Sequence, residues 1–121
     1  YVFESAIDAL SFASLRLMQG EDWRAAHYLS LAGVSLLPIT QYLDSHPGIT
    51  EAHLCLDNDE PGRDAAQRIT DDLHLSRPGP KGFYRLPFIG KDYNRCLLIM
   101  RRCRSLASRG RLLGKTIDRE R

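Results

Sequence analysis

The chain reads as an α/β domain, a Rossmann-like arrangement of about four mostly parallel strands with flanking helices. Three observations predict this. Short β-prone runs alternate with helical patterns in the order β-α-β-α-β-α-β-α, and such alternation favours a parallel sheet joined by right-handed crossovers. Acidic residues recur at the strand-to-helix junctions, where ligands of open α/β sheets bind. The 121 residues, 43% hydrophobic and 26% charged, suffice for one ordinary globular domain.

Each element has its own signal. Tyr1-Val2-Phe3 is a short strand that ends at Glu4. Ser5 is the expected N-cap of a helix reaching about Gln19, with Asp8 in the acidic position of a capping box and Gly20 as the stop. Ile7, Leu10, Phe12, Ala13, Leu15, Leu17 and Met18 cover most of that helix, which predicts burial nearly all round. Tyr28 to Ala32 reads as a second strand, ended by a turn at Gly33. A helix from Leu36 or Leu37 to Ser45 tolerates Pro38 in its first turn and buries Ile39, Tyr42 and Leu43. Glu51 to Leu56 is the third strand. A helix opening at about Arg63 buries Ala66, Ile69 and Leu73. Gly82 to Leu86 is the fourth strand, stopped by Pro87, and a last helix runs from about Tyr93 to Leu106 or Ala107. The expected organisation is a domain over residues 1–107 followed by a basic tail over 108–121. A start inside a strand, without Met, suggests a piece of a longer protein.

The acids carry the chemistry. Asp57 and Asp59 stand two apart at the end of the third strand, roughly 7 Å between Cα atoms in extended chain, so they can share a hard cation. Mg²⁺ suits such a pair, because it takes one or two protein carboxylates and keeps its waters and substrate phosphates. Gly62 in the Pro61-Gly62 turn lets a ligand approach the backbone. An EF-hand is excluded: Pro61 replaces a ligand and Arg68 replaces the closing Glu. Glu4 and Asp92 occupy the same kind of junction, and Asp8 lies one helical turn after Glu4. The alternatives are an acid favoured at a helix N-terminus for Glu4, the capping box of the first helix for Asp8, a turn whose Asp and Asn residues cap the next helix for Asp57 to Asp59, and the N-cap of the last helix for Asp92. Lys91 can meet a phosphate or balance the acids.

Charge is divided along the chain. Residues 95–121 hold nine Lys or Arg and two acids, whereas residues 1–94 hold eight bases and thirteen acids. A basic tail can neutralise nucleic-acid phosphates or simply be a solvated helix end. Cys55, Cys96 and Cys103 form no C-x-x-C pair, which argues against zinc and fits a reducing cytoplasm; all three read as core fillers. No apolar run approaches the roughly 20 residues of a membrane span.

Glu4 in Phe-Glu-Ser-Ala-Ile-Asp-Ala-Leu, the Gly33 turn, Leu-Asp-Asn-Asp-Glu-Pro-Gly at 56–62 and Lys91-Asp92-Tyr93-Asn94 together resemble the Toprim domain of topoisomerases, bacterial primases and some nucleases. The closing motif is most similar to primase-like Toprim proteins of plasmids and mobile elements. The resemblance covers about residues 1–100, with Ser5 where many members have Gly. It implies a Mg²⁺- or Mn²⁺-dependent site for phosphodiester chemistry such as nucleotidyl transfer. Glu4 would be the general acid/base, Asp57 and Asp59 the metal ligands, and Asp8 and Asp92 acids kept near the metal. It also implies DNA or RNA as partner, nucleotides as candidate substrates, and other domains of a parent protein. The alternatives are topoisomerase- or nuclease-type strand cleavage and a non-catalytic binding module. No tyrosine has the context of a cleavage nucleophile. A receiver-like domain phosphorylated on Asp57 ranks last, for want of a paired-acid first turn and a fifth strand.

Overall fold

Local signals place most of the elements. The computed structural model describes residues 1–33, 35–76 and 79–119, with side chains as far as Arg111. β1 (Val2–Phe3) leads into α1 (Ala6–Met18), capped as expected by Ser5, whose side chain accepts the Asp8 N–H. A 3₁₀ turn (Trp23–Ala25) precedes β2 (Leu29–Ser30) and α2 (Leu37–Ser45), which carries Pro38 in its first turn. β3 (Glu51–Leu54), α3 (Glu60–Ser76), β4 (Lys81–Tyr84) and α4 (Tyr93–Arg119) complete the chain.

The four strands form one sheet in the order β2-β1-β3-β4, and every pairing is parallel. Val2 pairs with Leu29 on one side and Leu54 on the other, while Glu51 to Leu54 pair with Lys81 to Tyr84. Backbone bonds carry the pairing past the short strands: Leu31 N–H donates to Phe3 O at 2.8 Å and Cys55 N–H to Val2 O at 2.8 Å.

Alternation along β1 and β3 sorts the core into two layers. Val2, Ala52, Leu54 and Leu56 pack with Ile39 and Leu43 of α2 and with Ala65, Ala66, Ile69 and Leu73 of α3. Phe3 and Cys55 face the other way, onto Phe12 and Leu15 of α1 and Tyr93 and Cys96 of α4. Burial of a side chain such as Ile69 or Leu73 contributes about 1.5–3 kcal/mol.

Several expectations change; β2 and β4 also end early, at Ser30 and Tyr84, and Tyr42 is only half-buried. α3 begins at Glu60 rather than Arg63, because Pro61 and Gly62 fit the first helical turn, where no intrahelical N–H bond is required. The β3 ladder ends at Leu54, two residues early. α4 does not end at Leu106 or Ala107 but continues through Gly110 and Gly114 to Arg119; each glycine costs only about 1 kcal/mol in a helix interior. From Arg101 to Arg111 every residue of α4 is exposed, so Cys103 is exposed rather than a core filler, unlike Cys55 and Cys96. α1 packs on one side only, leaving Ile7, Leu10 and Leu17 exposed. Among the described residues, no helix is long and apolar enough to cross a membrane.

Candidate functional site

The chain runs from β1 outward to β2, then returns past β1 to β3 and on to β4. The strand order therefore switches direction between β1 and β3, and ligands bind at the carboxyl ends of strands beside such a point. Glu4 follows β1 there, and Asp57 follows β3.

Backbone contacts hold both acids at this rim. Gly33 N–H donates to Glu4 O at 3.1 Å, from a φ of +138° that glycine adopts without strain. At Gly62 a Cβ would stand 2.1 Å from the Asp57 carbonyl oxygen and 2.9 Å from Asp59 Oδ1. The close approach that Gly62 permits is thus made by the chain's own Asp57 carbonyl. Gly62 N–H donates to Asp59 Oδ1 at 2.8 Å, and Arg63 N–H to Asp59 O at 2.9 Å, so Asp59 also caps α3.

The segment between β4 and α4 closes over the same edge. Asn58 N–H donates to Lys91 O at 2.6 Å and links it to the acidic turn. This places the Lys91 ammonium 3.4 Å from Asp59 Oδ2 and 3.9 Å from Asp57 Oδ2. Asp92 Oδ1 accepts the Arg95 N–H at 2.7 Å as the cap of α4. Asp8 is buried, and both its oxygens are engaged: Oδ1 accepts the Asn94 N–H at 3.1 Å and Oδ2 the Ser5 hydroxyl at 2.7 Å. Asn58 and Asn94 position the site without any spacing rule that marks them, because both act here through backbone N–H groups.

Burial and then crowded like charges set the electrostatics. Glu4 is pushed up to about 7 by burial, then by Asp57 and Asp59, by a hydrogen bond to the Asp57 side chain, and by Asp8. Burial and the neighbouring Asp8, Asp92 and Asp59 raise Asp57, with Lys91 opposing them. The Gly62 N–H, with help from Lys91, holds Asp59 below the usual carboxylate range. Hydrogen bonding to Asp59 and the charges of Asp59 and Asp57 raise Lys91.

Asp57 and Asp59 already direct one oxygen each toward a single cation, the Lys91 ammonium. That donor set fits an open Mg²⁺ site, which needs only one or two carboxylates. It does not fit a closed cage: among the described residues, no three His, Cys, Asp or Glu side chains converge on one metal position. A cavity of about 760 Å³ lies elsewhere, at the amino ends of the strands, lined by Tyr1, His27, Tyr42, His46, Glu51 and His53 among others. It shares no residue with the acidic rim. The rim is the better candidate, because charge and topology coincide there.

The family model described as Toprim-like matches residues 1–97, a span that takes in every one of these acids. No curated protein and no solved structure matches the chain. The parallel sheet, the rim at its switch point and the matched span agree: the chain belongs to the Toprim-like family, whose general activity is metal-dependent processing of nucleic acids.

Proposed function

We propose that the acidic rim performs phosphodiester chemistry of the primase-like, nucleotidyl-transfer kind, as one domain of a DNA-processing protein. The observation that carries this is the placing of Glu4 and Asp57 at the carboxyl ends of the adjacent strands β1 and β3, where burial and the neighbouring acids push Glu4 up to about 7. A carboxyl poised there can take a proton from an attacking hydroxyl or return one to a leaving oxygen at neutral pH.

Asp57 and Asp59 would hold Mg²⁺ or Mn²⁺. A divalent ion so held supplies Lewis-acid polarisation of a phosphoryl oxygen. Glu4 stands beside these ligands and handles the proton. Asp8 and Asp92, committed to N–H donors, fix the two helices that frame the rim and add to its negative field. Lys91 and the turn at Gly33 border the space a phosphate would enter. Nucleotides or nucleic-acid ends are the substrates of that chemistry, in DNA or RNA, and the cytoplasm is its proposed compartment.

Titration calorimetry with Mn²⁺ tests the site. The chain should bind the ion, and Asp57→Asn and Asp59→Asn should each weaken binding at least tenfold. Glu4→Gln should retain binding yet abolish nucleotidyl transfer by the protein. Full activity in Glu4→Gln would replace this reading with a non-catalytic binding module. Metal-dependent strand cleavage without nucleotidyl transfer would select the nuclease or topoisomerase branch.

A further inference from the structure

We propose that Lys91 is the resident counter-cation of the acidic rim: its ammonium holds the place between Asp57 and Asp59 that a divalent ion takes, and it must swing out before that ion binds. This rests on the metal-site reading above and adds a device that sets the affinity of the site.

Three observations carry it. The Lys91 ammonium lies within ion-pair distance of both carboxylates, 3.4 Å from Asp59 and 3.9 Å from Asp57. Those are the oxygens a shared cation would use, so ammonium and metal exclude each other by position as well as by charge. The Lys91 side chain is nonetheless 63% exposed, on a flexible four-carbon stem. Its backbone is held independently, because the Lys91 carbonyl accepts the Asn58 N–H and the next residue caps α4. The ammonium can therefore leave while the turn that carries it stays in place.

Arg63 is not an equivalent. Its guanidinium donates to Asn58 Oδ1 at 3.0 Å and forms no ion pair with Asp57 or Asp59 among the described residues. Lys91 thus keeps the paired carboxylates from facing each other uncompensated when no metal is bound. The displaced ammonium remains within a side-chain length of any phosphate that the metal recruits.

The test is Mn²⁺ calorimetry on the full chain and on Lys91→Ala, Lys91→Gln and Lys91→Arg, with circular dichroism as the folding control. Removing the ammonium that competes with the ion for the two carboxylates should tighten binding about tenfold in Lys91→Ala and Lys91→Gln. Lys91→Arg should bind no more tightly than the parent. In the parent, the Lys91 side-chain ¹³Cε and ¹⁵Nζ signals should shift as Mg²⁺ is added. Unchanged or weaker Mn²⁺ binding in both Lys91→Ala and Lys91→Gln would overturn the role of Lys91 and leave the metal site standing. Absence of binding in the parent and in every variant would overturn both.

Discussion

Glu4 is partly buried beside Asp57, Asp59 and Asp8, and its titration follows from that burial first and from those charges second. An acid with its folded value raised from 4.5 to about 7 binds more protons folded than unfolded across that interval. Its contribution to stability is therefore full below about 4.5 and is lost as pH rises through about 7. Without metal, Glu4→Gln should remove that loss. At pH 8 the variant should be more stable by on the order of 1 kcal/mol, after discounting for solvent screening of a partly exposed group. Urea midpoints of the two proteins between pH 4 and 8 check this, and parallel curves would refute it. Gly62 carries a steric demand instead of an electrostatic one. Gly62→Ala sets a methyl against the Asp57 carbonyl, so the turn must open. A loss of about 3 kcal/mol or more is expected, together with weaker Mn²⁺ binding.

The elements are joined at the site by hydrogen bonds more than by bulk. The two oxygens of Asp8 hold Ser5 at the start of α1 and Asn94 at the start of α4, and the Ser11 hydroxyl donates to Asn94 Oδ1 at 3.3 Å. Asp8→Ala leaves these donors without their acceptor, at a cost on the order of 3 kcal/mol by urea denaturation. α4 also divides its cysteines. Cys103 should react with a thiol reagent within seconds in the native protein, and Cys55 and Cys96 only on unfolding. Helix starts were legible in the residues because their causes are local: Ser5 caps α1, Pro38 opens α2 and Asp92 precedes α4. Helix extents were less so. Pro61-Gly62 reads as a turn until the helix is seen to begin beneath it. α4 outruns its buried face because nothing in its own sequence marks where the body stops. Glu4, Asp57 and Asp59 were legible as candidate site residues from recurrence at junctions, whereas the approach of Lys91 to the aspartates depends on a backbone bond to Asn58 that no side chain announces.

Across the whole molecule, acids gather at the carboxyl edge of the sheet while bases accumulate along the exposed run of α4, at Arg101, Arg102, Arg104, Arg109 and Arg111. A chain ended after Arg104 keeps that residue's hydrogen bond to the Met18 carbonyl, 3.0 Å, and the whole buried core. It should melt within a few degrees of the parent. It should also bind a labelled single-stranded oligonucleotide more weakly and with a shallower salt dependence, because fewer phosphates are neutralised. Fluorescence anisotropy at several salt concentrations measures this, and an unchanged slope would show that the distal bases touch no phosphate. The neighbouring strands β1 and β3 are separated in the chain by α1, β2 and α2. Loops of that length close late, after the local helices have formed. The working edge is therefore among the last features to assemble, and a nascent or clipped chain that stops short of Asp57 carries Glu4 as an ordinary surface acid.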